Sequence, residues 1–117
     1  MPITYTCGHP SRRKSFRYKG SVDQGVTLVF PSGNVLVSAD FFASIRNEFV
    51  NQRVAGGFSM TDPPANGFGA WVRGNSAAFN TRALTPRHGS FIAAILPDAG
   101  WLTWELEGHT VYLNFGP

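Results

Sequence analysis

Four side chains of this sequence are potential metal ligands or nucleophiles, namely Cys7, His9, His88 and His109. A structural zinc site usually has two spaced pairs of ligands, but here only Cys7 and His9 lie close together in the sequence. Cys7 would need His88 or His109 beside it in the fold to act as an activated nucleophile. Because neither arrangement has a local signature, we expect no metal site, no cofactor and no catalytic residue.

The acidic residues do not suggest catalysis either. Asp62 and Asp98 adjoin prolines, as turn residues often do, and Glu105 and Glu107 lie beside a predicted hairpin turn. General acid and base work on glycosides needs two facing carboxylates, and no such spacing stands out. The sequence therefore favours a binding protein over an enzyme.

Positive charge is the most concentrated chemical feature of the chain. Residues 1–20 contain five basic and no acidic residues, whereas residues 21–117 contain five basic and seven acidic ones. Basic groups neutralise phosphates, and interspersed aromatic rings such as Tyr5 stack on bases. We predict contact with nucleic acid, or with another polyanion such as an acidic protein surface, through Arg12, Arg13, Lys14, Arg17, Lys19, Phe16 and Tyr18. The alternatives are a solvated basic terminus and an edge strand, in which Phe16 and Tyr18 alternate with basic residues.

Aromatic residues near the end of the chain form a second candidate site. Trp101, Thr103, Tyr112 and Asn114 are predicted on the outward face of the last hairpin, and Trp71 is expected to join them. Such a patch would bind a small molecule or a protein, including a second copy in a homodimer. If a helix covers this face, the same residues are ordinary core, and the sequence leaves both readings open.

Two β-hairpins are expected to position these residues. Residues 26–30 and 35–37 flank the turn formers of residues 31–34, and apolar residues on both faces predict cover on both sides. Residues 101–106 and 109–115 flank a predicted two-residue loop at Glu107 and Gly108. The alternation in this second hairpin predicts one core face, made of Leu102, Trp104, Leu106, Val111, Leu113 and Phe115.

Two short helices, a loop and a further strand complete the prediction. Apolar residues recur every four positions over about residues 40–52, after a cap at Ser38 or Asp40. Thr85 and Pro86 predict the start of a second helix over about residues 86–96, although residues 90–96 would also fit a strand. Residues 54–66 are expected to be an irregular loop, and residues 67–73 a middle strand whose glycines allow close backbone contact.

These elements predict a single α+β domain of 117 residues, with a mostly antiparallel sheet built from two hairpins and a middle strand. Residues 1–20 would form a basic arm and residues 21–117 the domain itself. The single cysteine, the absence of a long apolar run and the polar start of the chain favour a cytoplasmic protein with no membrane contact.

Overall fold

Within the residues that the structure describes, two antiparallel β-sheets and three α-helices form an α+β fold. The structure is a computed structural model that describes residues 3–8, 10–79 and 83–117, apart from the side chain of Arg12. The elements are β1 (Thr4–Tyr5), β2 (Ser15–Ser21), β3 (Gly25–Phe30), β4 (Gly33–Val37), α1 (Ala39–Phe49), β5 (Arg53–Ala55), α2 (Phe68–Asn75), α3 (Pro86–Ile95), β6 (Leu102–Glu107) and β7 (Thr110–Phe115), with 3-10 turns at Pro10–Arg12 and Ser76–Ala78.

The first sheet has the strand order β1-β2-β3-β4 and confirms the first predicted hairpin. Phe30 pairs with Gly33, so β3 and β4 are joined by a two-residue loop. Val26, Leu28, Val35 and Val37 are buried on the inner face of this sheet. On that face Phe91 of α3 packs edge-on against Phe30, with ring centroids 4.8 Å apart.

The outer face of the first sheet is not covered, contrary to the prediction from its apolar residues. Leu36 is 55% exposed there, and Val29 is only half-buried. Single apolar side chains are common on protein surfaces, so Val29 and Leu36 were too few to require a second layer. The sheet therefore has one packed face and one face open to solvent.

The second sheet has the strand order β5-β7-β6 and confirms the second predicted hairpin, with a different turn. Glu107 pairs with Thr110, so the loop consists of Gly108 and His109 and not of Glu107 and Gly108. Gly108 has a φ of +62°, which favours glycine at the first loop position. Each β6 residue therefore pairs with a β7 residue two positions later than predicted. Because side chains along a strand alternate with a period of two, every residue still lies on its predicted face.

The third strand of this sheet, β5, lies where the sequence suggested loop. Val54 pairs with Leu113 and Ala55 with Tyr112, so the irregular segment begins at Gly56 and not at Val54. A three-residue strand is too short to show a period in the sequence, and its pairing partner lies about 60 residues later in the chain.

Helix α1 confirms the first predicted helix and carries much of the core. The Ser38 side chain accepts a hydrogen bond from the Phe41 backbone N–H at 3.1 Å, which identifies Ser38 rather than Asp40 as the cap. Phe41, Phe42 and Ile45 are fully buried. The helix ends at Phe49, because Val50 already has a non-helical ψ of 128° and Asn51 follows with a φ of +60°.

The predicted middle strand at residues 67–73 is wrong, because this segment forms α2. Phe68 and Val72 are fully buried four residues apart, the spacing of one helix face. Gly67 caps the helix with backbone alone, and Gly69 allows the close backbone contact that was expected. The Gly69 N–H donates to the Gly56 carbonyl at 2.7 Å, which explains why a glycine-rich sequence is helical here.

Helix α3 confirms the second predicted helix and excludes the strand alternative for residues 90–96, of which 90–95 are helical. Thr85 caps it and Pro86 is the first helical residue, as predicted. The backbone N–H of Thr85 donates to Nδ1 of His88 at 3.1 Å, and the His88 N–H donates to the Thr85 hydroxyl. Ile92, Ala93, Ile95 and Leu96 are buried in the same core as the residues of both sheets.

That shared core makes the fold a single α+β domain, as predicted. None of the helices in the described part of the chain is long and apolar enough to cross a membrane.

Alanine substitutions at Gly69 of α2 and Gly89 of α3 should have opposite effects on stability. A methyl group at Gly69 would overlap the Gly57 carbonyl oxygen, whereas one at Gly89 would lie 3.5 Å from the Gly69 Cα, an ordinary contact. We expect Gly69→Ala to lower the free energy of unfolding by about 3 kcal/mol. The control Gly89→Ala should leave it unchanged or raise it by up to about 1 kcal/mol, because alanine favours a helix. Urea denaturation measures both, and equal losses would contradict this packing.

Candidate functional site

The basic N-terminal segment is built into the first sheet over residues 15–21. β2 lies between β1 and β3, with Arg17 paired to Val29 and Lys19 paired to Thr27. Its side chains alternate, so that Ser15, Arg17 and Lys19 are exposed. Two of the predicted basic residues are therefore held on a strand, at a fixed spacing, rather than on a solvated tail.

The strand register determines which residues share the exposed side of this sheet. Directly paired residues lie on the same face, and so do residues two positions apart on one strand. We call this side the open face, and its residues are Tyr5, Ser15, Arg17, Lys19, Ser21, Gly25, Thr27, Val29, Asn34 and Leu36. No acidic residue is among them.

The two cations of the open face have no carboxylate partner within the described residues. The ion pairs among the described residues join Arg53 to Glu105 and to Glu107, all of which lie on the second sheet. Arg17 and Lys19 lie about 7 Å apart along one strand, since a strand rises roughly 3.3 Å per residue. The open face therefore presents two adjacent positive charges that no neighbouring acid neutralises.

Arg13 is exposed, and its side chain also contacts other parts of the protein. Its Nε donates to the Thr6 carbonyl at 2.7 Å. Its guanidinium lies 5.6 Å from the ring centroid of Tyr5 and 5.5 Å from that of Trp104. Arg13 thus attaches the N-terminal segment to the second sheet, a structural role that the sequence did not indicate.

The other two neighbouring cations differ in what the structure shows. The backbone N–H of Lys14 donates to the Thr6 hydroxyl at 2.8 Å, and Lys14 is exposed. The side chain of Arg12 lies outside the described part of the structure.

The aromatic residues predicted to stack on bases point inward. Phe16 is 5% exposed and packs edge-on against Phe91, with ring centroids 5.1 Å apart. Tyr18 is half-buried, and burial raises the pKa of its hydroxyl, with a further contribution from the negative charge of Asp98. The buried Phe16 ring is not accessible to a base, which corrects the prediction for that residue. Tyr18 lines a groove of about 500 Å³, and Tyr5 is 52% exposed on the open face.

The residues of the predicted aromatic patch are distributed over separate sites. Trp71 stacks on Phe41 with ring centroids 5.6 Å apart. Trp101 lies edge-on to Phe42 and beneath the Arg46 guanidinium, 5.1 Å from its ring centroid. Trp101 precedes β6 and Tyr112 pairs with Glu105, so the two predicted neighbours are separated along the hairpin. Thr103 is exposed and pairs with the half-buried Asn114.

A cluster around Arg53 was missed from the sequence. Its Nη2 lies 2.7 Å from Glu107 and 3.1 Å from Glu105, and its guanidinium lies 3.8 Å from the ring centroid of Tyr112. Desolvation lowers the pKa of Arg53, but the two carboxylates outweigh it and the net pKa is raised. Asn114 also donates to Glu105 at 3.3 Å. Only the pairing of β5 with β7 brings these residues together, and no local motif reports it.

A groove of about 880 Å³ lies beside this cluster. Tyr112 and Trp71 both line it, together with Arg53, Asn66 and Asn75. Two of the five residues predicted for the aromatic patch therefore do face a common space, although Trp101 is not among its lining residues.

The candidate metal ligands and nucleophiles that the structure describes do not form a common site. Groups of three or more His, Cys, Asp or Glu side chains suited to a metal ion do not occur among the described residues, which exclude His9. His88 forms the capping box of α3, and His109 is exposed in the turn between β6 and β7. Cys7 is buried, and burial raises the pKa of its thiol to about 11.

The buried thiol predicts a loss of stability in alkaline solution. Between about pH 9 and about pH 11 the unfolded chain releases the Cys7 proton while the folded chain retains it, so the free energy of unfolding falls. We expect a contribution of about 2 kcal/mol by pH 11. The measurement is denaturant unfolding across this range, with Cys7→Ala as the control, and equal pH profiles for the two proteins would contradict the assignment.

Comparisons with protein-family models, with curated proteins and with solved structures found no match to this chain.

Proposed function

We propose that this protein is a non-catalytic binding module that contacts nucleic acid through the open face of its first sheet. The observation that carries the proposal is the pair of exposed cations, Arg17 and Lys19, on a face without acidic residues. Cations on such a face neutralise backbone phosphates and release counterions, which favours binding to a nucleic acid of any sequence.

The shape and chemistry of the open face favour a single strand. Four strands give a surface roughly 14 Å across, since neighbouring strands lie about 4.8 Å apart. Tyr5 is 52% exposed on it beside Ser15, with the Arg13 guanidinium 5.6 Å from the ring centroid. The part of the ring that Arg13 does not contact is a platform on which an unpaired base stacks. Thr27 and Asn34 add small polar groups between the cations and the edge of the sheet. An unpaired strand can place the faces of its bases on this surface, whereas the bases of a duplex are stacked on one another and present only their edges in the grooves.

Because the basic segment is part of the first sheet, the test should use substitutions rather than a truncation. A chain that starts at Ser21 would lack β1 and nearly all of β2, and so would lose Phe16 from the core. Such a truncation would unfold the sheet as well as remove charge. Point substitutions of exposed side chains separate the two effects.

The first test removes the two charges of the open face. We expect Arg17→Ala with Lys19→Ala to weaken binding of a labelled single-stranded oligonucleotide. The slope of log K against log salt concentration should fall by about 1.4, because each lost phosphate contact contributes about 0.7 on a single strand. Fluorescence anisotropy titrations at several salt concentrations measure both quantities.

The matched control removes two charges elsewhere. Arg73 and Arg87 are exposed on α2 and α3, and Arg73→Ala with Arg87→Ala gives the same net charge as the test variant. This control should keep most of the affinity and the slope. Equal losses in both variants, or no binding by the unmodified protein at low salt, would overturn the proposal.

The second test concerns Tyr5. We expect Tyr5→Ala to cost about 1–3 kcal/mol of binding to a single strand, while Tyr5→Phe keeps the ring and most of the affinity. Binding to a duplex should change little, because paired bases cannot stack on the ring. The same anisotropy titrations measure this. Equal losses for both substitutions would show that the ring does not act as a stacking platform.

The groove beside Arg53 supports a second candidate function, the binding of a small molecule or a protein segment. The supporting observation is that Trp71 and Tyr112 line one space of about 880 Å³. Binding there would change tryptophan fluorescence and depend little on salt. A ligand whose affinity is insensitive to salt and to both charge-removing pairs would favour this groove over the open face.

A further inference from the structure

The outer edge of β4 is an unpaired strand edge. β4 is last in the order of the first sheet, and no described strand pairs with it on the side away from β3. In an antiparallel hairpin alternate residues direct their backbone N–H and C=O groups away from the neighbouring strand. With Phe30 paired to Gly33 at the loop, these outward residues are Asn34 and Leu36.

This edge lacks the features that usually prevent strand addition. The five residues of β4, Gly33–Val37, include no charged residue and no proline. Natural sheets block exposed edges with lysine, proline, bulges or very short strands. The opposite edge of the same sheet follows that rule, because β1 has only two residues and Arg13 packs against it.

The surface beside β4 is mostly apolar and carries no charged side chain among the residues that the structure describes. A groove of about 330 Å³ is lined by Thr27, Leu36 and Phe79 with small polar neighbours, and no charged side chain lines it among the described residues. Leu36 is 55% exposed and Phe79 is 39% exposed, which are large values for such side chains. The edge and its surroundings therefore offer hydrogen bonds and apolar contact together.

We propose that the edge of β4 binds the same edge of a second copy of this chain, forming a symmetric dimer with one continuous eight-stranded sheet. An antiparallel pair centred on Val35 places Asn34 of one copy opposite Leu36 of the other. A two-fold axis there satisfies the outward N–H and C=O groups of both strands with one interaction.

Charge favours a second copy over a charged peptide. The described residues along this edge carry no charge, so an acidic or basic segment gains no attraction from them, and they do not repel the same residues of a second copy. The cations Arg17 and Lys19 lie on β2, and in the dimer the two β2 strands are about 24 Å apart across five strand spacings. That distance exceeds the Debye length of about 8 Å at physiological ionic strength, so the two basic strips do not oppose assembly.

The expected dimer is weak and depends on concentration. We expect a pair of five-residue strands flanked by Leu36 and Phe79 to bury less than the roughly 800 Å² per partner of a stable interface. The inference is independent of nucleic-acid binding, although a dimer would join two open faces into one surface.

Sedimentation velocity of the full chain, without nucleic acid, tests this proposal. We expect the weight-average sedimentation coefficient to rise from monomer towards dimer over about a hundredfold range of protein concentration. Leu36→Lys should raise the dissociation constant about tenfold or more, because it places a charge at the paired edge. Leu36 is exposed, so the variant should keep its circular dichroism spectrum and melting temperature.

The matched control is Val50→Lys, which adds the same charge and removes an exposed apolar side chain at the end of α1. It should dimerise like the unmodified chain. Amide hydrogen exchange gives a second readout, in which the Asn34 and Leu36 amides become slower to exchange as concentration rises. A monomer at every concentration, a dimer insensitive to Leu36→Lys, or unchanged exchange at these two amides would overturn the proposal.

Discussion

The packing of Phe49 against three other aromatic rings holds the two sheets of this fold together. Phe49 ends α1, and its ring centroid lies 5.5 Å from that of Phe68, 5.3 Å from Trp71 and 5.3 Å from Phe115. Those residues belong to α2 and β7, while α1 itself packs on β3. A three-stranded or four-stranded sheet of this size has little stability without a layer to cover its apolar face. Through Phe49, α1 therefore covers the apolar faces of both sheets, and the stability of each sheet depends on the other.

The sequence was informative wherever local chemistry determines structure. Ser38, Thr85 and Pro86 identify the starts of α1 and α3, because a cap acts on backbone groups within one turn. The alternation in the last hairpin predicted the buried face correctly even though the loop was displaced by one residue at each side. Both features depend on residues that are neighbours in the chain.

The sequence was misleading where distant contacts decide. Residues 67–73 have low helix propensity because of their glycines, but α2 forms since Gly69 contacts the Gly56–Gly57 backbone and Phe68 enters the core. The charge of the basic segment is evident from the sequence, but its alternation of basic and aromatic residues fits both a solvated arm and a strand. Only the pairing of β2 with β3 places Arg17 and Lys19 on one face and Phe16 on the other. Arg13 and Arg53 gained their partners from elements far along the chain, which no spacing reports. The sequence thus predicts which residues belong to the candidate site, but it does not predict how they are arranged in space.

The pairing of β5 with β7 also determines when the molecule can become folded. These strands are about 60 residues apart in sequence, and β7 lies in the middle of its sheet, between β5 and β6. Long-range pairing of this kind slows folding, because a large loop must close before any contact compensates for the lost entropy. During synthesis, Phe49 and Phe68 remain without the ring of Phe115, and Val54 remains without its pairing partner Leu113, until β7 has been made. The growing chain therefore exposes these aromatic side chains until its last strand has been made, and exposed apolar surface of this kind favours aggregation of incompletely folded chains.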